Sequence, residues 1–340
     1  MAPVSRAWFV DRYGGPERLT LRTRPDPSPG PGEVLVRTAA IGLNFADLFV
    51  RAGAYPGTPR PPFVPGMEIS GTVEALGEGV TDLTPGQRVV AVPIFGGHAE
   101  KVLASAARVF PLPDGVDLVE AAAVPVAFLT AWYACARSQV VAGERVVVTA
   151  AGGGVGTALL QLLAARGGKT LALVGSDAKL PLCRELGASA AGLYGSAEAL
   201  LAREFGGRAD IAIDAIGGRI FRRLWRRLDS GGRYVLYGFA AASGKRGVAR
   251  LRAARELASM GLFSPFQFVQ ACRTLIGFNL SLLPERTAEL RRGAREILED
   301  WRQRRIRPVL GPAFPFERLP DAHRALASRS TTGKVLVTLP

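Results

Sequence analysis

The stretch Arg145 to Ala165, reading RVVVTAAGGGVGTALLQLLAA, constrains this chain more than any other. From Val146 to Ala165 it holds twenty uncharged residues, which is the length of a membrane span. Four glycines in its middle argue for something else. The run divides into β-branched residues (Val146 to Thr149), a glycine turn, and a segment with Val155, Leu159, Leu162 and Leu163 along one helical face. The pattern predicts strand, turn and helix. A glycine turn at the carboxyl end of a parallel strand lets phosphates rest on the N–H groups of the following helix. Ala151-x-Gly153-x-x-Gly156 therefore reads as a dinucleotide-binding turn, with a plain helix–strand packing turn as the alternative.

The rest of the chain arranges itself around that unit. Its 340 residues suffice for two cores. Up to about Val124, short β-rich runs (Glu33 to Ala39, Gly71 to Leu76, Arg88 to Val92) alternate with Gly/Pro-rich turns, the rhythm of a β-barrel-like domain. From about Pro125 strands alternate with helices: RVVVTA, TALLQLLAAR, TLALV, AKLPLCREL, DIAIDAIG, FRRLWRRL and RYVLYGF. Such alternation predicts a doubly wound parallel sheet. An arginine-containing stretch follows Phe239, then a strand-like RTLIGFNL and a charged helix from about Pro284 to Arg305. The terminal VLVTLP has the composition of a strand that rejoins the first domain.

Composition excludes several classes. Hydrophobic residues make up 48% and charged residues 21% of the chain, a globular balance. The net charge of +14 draws on 43 basic residues, but the arginines are dispersed and no nucleic-acid motif accompanies them, so a specific nucleic-acid partner is not expected. Cys135, Cys183 and Cys272 are odd in number and far apart, which suits a reducing compartment. The start, MAPVSRAWFVDRYGG, lacks the apolar core of a signal peptide. A cytoplasmic location is the expectation.

About 20 positions beyond the glycine turn, NAD-binding versions place an acid for the ribose 2′-OH. Here that stretch reads Gly175, Ser176, Asp177, Ala178, Lys179. Gly and Ser at the strand end, with Lys179 a turn later, accommodate and neutralise a 2′-phosphate. This favours NADPH, although Asp177 could still reach a ribose and Lys179 could be a solvated helix charge.

The first half then becomes readable. IGLNFADLFVRAGAYPG and FVPGMEISGTVEALGEGVTDLTPGQRVVA resemble the medium-chain dehydrogenase/reductase superfamily, and Asn44, Asp47, Arg51, Gly53, Tyr55 and Pro56 match the pattern of its quinone oxidoreductase branch. GFNLSLL near Asn279, the arginine-rich insert after Gly238 and the ending TGKVLVTLP are most similar to the vesicle amine transport protein 1 subgroup. The resemblance implies an α/β chain with a discontinuous GroES-like β-barrel catalytic domain (residues 1–124 with 284–340) and a Rossmann NADPH-binding domain (125–283). It implies Asn44 and Thr130 near the nicotinamide, Gly154 and Val155 at the pyrophosphate with Ala151, Gly153 and Gly156 as cofactor-binding residues of the turn, and Gly175, Ser176, Lys179 and Arg329 near the 2′-phosphate. Tyr194 is implied on the adenine side, with Phe239 and Asn279 as further cofactor neighbours. Phe239 stands where some relatives carry a shorter polar residue, and Ala215 replaces a frequent Ser.

Zinc-using relatives hold their catalytic metal with Cys, His and Cys at positions that here are Asn44, Met67 and Val126. These side chains lack the donor strength zinc requires, the structural zinc lobe is missing as well, and His98 and His323 have no evident ligand partners. No metal is expected. Without a Lewis acid, hydride addition to an electron-poor quinone or enone is the chemistry that needs least help: orientation, and a donor to the developing oxyanion. Tyr55 is the candidate donor and Asn44 the candidate orienting group, with packing of Tyr55 on the cofactor as the alternative. Asp47 and Arg51, spaced i, i+4, read as a helical ion pair.

Two other readings stay open. The same fold and turn serve enoyl thioester reductases of fatty-acid or polyketide type. Alternatively, Leu257 to Val269 (LASMGLFSPFQFV), flanked by Arg250, Arg252, Arg255 and Arg273, could give a weak membrane association, or else form a lid or subunit interface. Relatives pair through the last strand of the cofactor domain, so Thr274 to Phe278 is the expected homodimer edge.

Overall fold

A computed structural model describes residues 3–242, 249–283 and 286–340. Residues 243–248 of the arginine-rich insert, the side chain of Arg250, and the expected domain boundary at 284 lie outside the described residues. The chain divides into two compact units, Met1–Leu129 with Glu285–Pro340, and Thr130–Pro284.

The first unit opens with a hairpin, β1 (Val4–Val10) and β2 (Leu19–Pro25), followed by β3 (Glu33–Gly42), helix α1 (Phe45–Ala52), β4 (Ile69–Leu76), β5 (Arg88–Ala91), β6 (Lys101–Ser105) and β7 (Val109–Pro111). The division between units falls within α2 (Pro125–Ser138). The second unit continues with β8 (Arg145–Thr149), α3 (Gly154–Ala165), β9 (Lys169–Val174), α4 (Leu180–Glu185), β10 (Ala190–Leu193), α5 (Ala197–Phe205), β11 (Ala209–Asp214), α6 (Gly218–Trp225), β12 (Leu228–Leu236), α7 (Ala249–Met260), α8 (Pro265–Ala271) and β13 (Thr274–Gly277). The chain then re-enters the first unit through α9 (Thr287–Arg302), β14 (Leu310–Pro315), α10 (Leu319–Ala327) and β15 (Lys334–Thr338).

In the first unit the sheet order is β14-β15-β3-β4-β5-β7, with β6 also paired to β3. Most of these pairings are antiparallel, and β14 runs parallel to β15. This is the GroES-like fold, and the carboxyl-terminal VLVTLP does rejoin it as β15. Its core gathers residues from both chain segments, among them Val36, Ile41, Val50, Ile69, Val89, Phe316 and Val337. Helix α1 has an extended Asn44 at its start and a left-handed Gly53 at its end, where the Tyr13 ring lies so close that a Cβ would sit 2.6 Å from it.

In the second unit the six strands run parallel in the order β10-β9-β8-β11-β12-β13. Renumbered from β8 this is 3-2-1-4-5-6, the Rossmann order, whose ligand crevice lies at the carboxyl ends of the strands where the winding reverses, next to β8. The uncharged run Val146 to Ala165 is thus a strand, a turn and a helix. Among the described residues no helix is long and apolar enough to cross a membrane.

The insert after Phe239 is α7 and α8. Phe263 and Phe268 pack on Phe221, Trp225 and Tyr234 as a cluster of edge-on and tilted rings. Leu257, Leu262, Phe266 and Val269 face outward, Leu262 being 98% exposed. Arg273 does not flank this surface as a solvated cation, because its guanidinium donates to the carbonyls of Trp225 and Leu228. Strand β13 bounds the sheet, with Thr274, Leu275 and Gly277 exposed.

Candidate functional site

At the carboxyl end of β8 the chain turns sharply through Ala150, whose φ of 53° is left-handed. Such a conformation strains a non-glycine residue, and two contacts hold it. The Ala150 N–H donates to the Tyr194 hydroxyl at 3.0 Å, and the Ala150 carbonyl accepts from the Gly153 N–H at 2.9 Å. A Cβ on Gly156 would lie 2.3 Å from the Ala150 oxygen, so only glycine allows α3 to start this close to the strand. Gly153, extended, is the N-cap, and Gly153, Gly154 and Val155 are part-exposed. The first N–H groups of a helix have no partner within it, so this end of α3 presents donors and positive potential.

The neighbouring strand end completes the surface. Beyond β9, Gly175, Ser176 and Asp177 are exposed, and the Tyr194 ring lies beside Gly175. The Lys179 stem runs across Gly152, where a Cβ would sit 2.8 Å from its Cδ. Partial burial lowers the Lys179 pKa from its ordinary value, and the nearby Cys183 thiol partly opposes this. Gly153, Gly154, Val155, Gly175, Ser176, Lys179 and Tyr194 therefore share one surface of the second unit, with Ala151 and Gly156 buried in the turn.

Three further expected residues of this unit lie on other elements. Thr130 is buried in the first turns of α2. Phe239, after β12, packs against Gly217, whose φ of 68° and ψ of −159° belong to glycine alone. Asn279, after β13, accepts from the Ser281 N–H and hydroxyl and shapes the chain locally.

The residue that sequence reasoning missed here is Asp214, fully buried at the end of β11. Its carboxylate accepts from the Thr149 hydroxyl at 2.6 Å, the Tyr234 hydroxyl at 2.8 Å, and the N–H groups of Ile216 and Gly217 at 2.8 and 3.0 Å. Burial raises its pKa against these four donors. Asp214 thereby ties the ends of β8, β11 and β12 beneath the turn. The available signal was an acid closing the apolar strand ADIAID just before Gly217 and Gly218.

In the first unit the expected residues collect around α1. Asn44 precedes the helix, its backbone N–H donating 2.7 Å to Asp47 Oδ2. Arg329 lies over the Phe45 ring, 5.7 Å from its centroid. Tyr55, three residues past the helix, is half-buried against the apolar core, and its carbonyl accepts from the Thr58 hydroxyl. The ion pair expected between Asp47 and Arg51 is replaced by other partners. Arg51 donates to the Gly14 carbonyl and, at 2.9 Å, to His323 Nδ1. Burial raises the Asp47 pKa to about 7.

The three positions that match zinc ligands elsewhere behave as follows. Met67 is core. Asn44 Nδ2 donates 2.8 Å to Glu68 Oε1, and the Val126 N–H donates 2.7 Å to Glu68 Oε2. Glu68 also pairs with the ammonium of Lys334, which donates 2.6 Å to Asn44 Oδ1. Glu68 and Lys334 are 0% and 5% exposed at their side chains. Gly42 makes the room, since a Cβ there would meet Glu68 Oε1 at 2.7 Å. Neither Glu68 nor Lys334 was expected; the signal was an acid inside the apolar VPGMEISG and a Lys in a chain that has only five.

His98 and His323, both fully buried, stack edge to face with centroids 5.3 Å apart. Burial pushes the His98 pKa down to about 3 and His323 well below its ordinary value. Since a guanidinium only donates, His323 Nδ1 accepts, and the ring is neutral with its proton on Nε2. Among the described residues no three His, Cys, Asp or Glu side chains cluster as a metal site would require.

Comparison with known proteins places this geometry in context. Residues 30–114 match the family model of the alcohol dehydrogenase GroES-like domain, and residues 186–337 that of the zinc-binding dehydrogenases. The chain is 33% identical to the synaptic vesicle membrane protein VAT-1 homolog of Rattus norvegicus, over 99% of this chain and 84% of the relative. It is also 33% identical to quinone oxidoreductase-like protein 2 of Bos taurus, over 91% and 86%. Among solved structures, the quinone oxidoreductase of Thermus thermophilus, described with its NADPH complex, superposes with a TM-score of 0.80 at 36% identity, covering 98% of this chain and all of that one.

Proposed function

The chain belongs to the medium-chain dehydrogenase/reductase superfamily, in its quinone oxidoreductase branch and VAT-1-like, and from that premise we propose an NADPH-dependent oxidoreductase that reduces quinones or other electron-poor enones without a metal. The observation that carries the reading is the turn at Ala150 to Gly156, with no room for a Cβ at Gly156 and with Lys179 laid across Gly152. These residues fit a dinucleotide. The part-exposed N–H groups at the start of α3 would hold its pyrophosphate, and Ser176 and Lys179 a 2′-phosphate. Tyr194 would flank the adenine side, with Thr130, Phe239 and Asn279 as further neighbours.

NADPH, when bound, supplies the hydride. The protein's own part is orientation and hydrogen bonding. Asn44 orients the acceptor's carbonyl, and Tyr55 donates a hydrogen bond to the oxygen that gains charge. At the zinc-ligand positions Met67 has turned apolar and Val126 offers only a backbone N–H, already on Glu68. That supports a reaction needing no Lewis acid.

The deciding experiment follows loss of NADPH absorbance at 340 nm with ortho- and para-quinones, enones and crotonyl thioesters, and with NADH in place of NADPH. Turnover of quinones or enones with preference for NADPH is expected. Clear preference for the thioester would favour an enoyl thioester reductase and overturn the reading. A Tyr55→Phe variant with undiminished turnover would remove Tyr55 from the chemistry. Pairing of two copies through the β13 edge is proposed too, and sedimentation would report it as a dimer.

A second reading rests on the exposed Leu257, Leu262, Phe266 and Val269. A patch of this kind can seat in a lipid surface. Co-sedimentation with anionic vesicles at low salt is its test; a chain that stays in the supernatant dismisses it.

A further inference from the structure

We infer that Lys334 is the resident cation of the Asn44 site and a positioning residue that locks Asn44 into the role of hydrogen-bond donor, so that the ligand group recognised there is an acceptor oxygen, a carbonyl rather than a hydroxyl. The inference deepens the proposed function and rests on Asn44 facing the acceptor.

Donors and acceptors must match at the Asn44 amide. An ammonium has three donors and no acceptor, and a carboxylate accepts only. Lys334 Nζ lies 2.6 Å from one end of the Asn44 amide and Glu68 Oε1 lies 2.8 Å from the other. The reverse orientation would set NH2 against NH3+ and oxygen against carboxylate. The amide can therefore sit only one way, Oδ1 on Lys334 and Nδ2 on Glu68. Of the two Nδ2 hydrogens, one is held by Glu68, while the other has only the Gly42 carbonyl, whose oxygen lies 3.5 Å from Nδ2, at the limit of a hydrogen bond. That loosely held N–H is the one left to donate to a ligand, and Asn44 keeps a sliver of exposed surface. A cation on Oδ1 also polarises the amide and strengthens its N–H as a donor. Lys334 thus acts on the ligand through Asn44.

Glu68 completes the device. It receives Lys334, Asn44 and the Val126 N–H, so the ammonium is neutralised where it is buried and cannot swing away.

The test compares the parent, Lys334→Arg, and the paired variant Lys334→Met with Glu68→Gln, which removes both charges together so that the fold survives. Asn44 and Asn279 are the only asparagines, so labelling with 15N-asparagine gives two side-chain amides to follow. The paired variant should melt within a few degrees of the parent yet exchange the Asn44 amide protons at least tenfold faster. Its kcat should fall tenfold or more with KM for NADPH unchanged, and Lys334→Arg should recover most of that loss. The parent should bind a conjugated enone at least tenfold better than the matching allylic alcohol, and the paired variant should lose that preference. Parental amide exchange in the paired variant overturns the inference. So does parental kcat with parental enone preference. If the parent oxidises no NADPH with any quinone or enone, the proposed activity falls, and the Asn44 exchange rates still decide for or against the lock.

Discussion

The two units bury charge in opposite ways. Around α1 the first unit encloses the Lys334 ammonium against the Glu68 carboxylate, an ion answered by an ion within the interior. The second unit buries one acid, Asp214, beneath its turn and answers it with two hydroxyls and two backbone N–H groups, while Asp177 and Ser176 stay at the surface. An ion answered by an ion is vulnerable to the loss of either partner. An acid answered by neutral donors can be swapped for an isostere with less harm.

The sharpest way to break that contrast is to remove one acid from each unit. Glu68→Ala leaves the Lys334 ammonium buried and uncompensated, and urea unfolding should show a loss of about 3–5 kcal/mol. Asp214→Asn keeps an acceptor oxygen for two of its four donors, and where its NH2 replaces Oδ2 the Tyr234 hydroxyl can turn to accept, so the change should cost about 1–3 kcal/mol. Equal losses would erase the distinction. A charge at the surface of the second unit should matter to ligand and not to fold. Lys179→Ala should weaken NADPH binding by about 1.5–3 kcal/mol, the range of a hydrogen bond to a charged group, leaving NADH binding and the melting temperature nearly unchanged; calorimetric titration with both cofactors checks it.

The first unit should also carry the stronger response to acid. His98 has a folded pKa of about 3 against 6.5 when free. Below 6.5 the unfolded chain therefore binds a proton that the folded chain refuses, and stability falls as pH falls. Asp47, raised to about 7 from 3.8, works the other way, because the folded chain takes up the proton first. His98→Leu isolates one side of this balance. Between pH 8 and pH 5 the variant should gain about 2 kcal/mol relative to the parent, and a constant difference across that range would show that His98 is protonated inside the fold. The smallest effect is expected at the outward face of the insert, where Leu262→Ser should change stability by under about 0.5 kcal/mol and be felt only in vesicle co-sedimentation.

Much of the fold was legible because it is written locally. The Gly152 to Gly156 turn and the strands on either side of it follow from periodicity and turn chemistry within a few residues, and β15 is legible as a strand from its composition. Helix α2 was not anticipated, since PVAFLTAWYACA is apolar on nearly every face and shows no periodicity. The buried polar contacts were illegible for another reason. Lys334 and Asn44 are 290 positions apart and Arg51 and His323 are 272 apart, so their meeting depends on how the last strand and helix return. His98 and His323, which looked partnerless one at a time, face each other only once that return is made.

Lys334 has one more consequence. A cation that is part of the polypeptide arrives with translation, in a ratio of one per chain, and owes nothing to metal supply, metallochaperones or competition among ions in the cell. No chelator can strip it and no wrong metal can take its place.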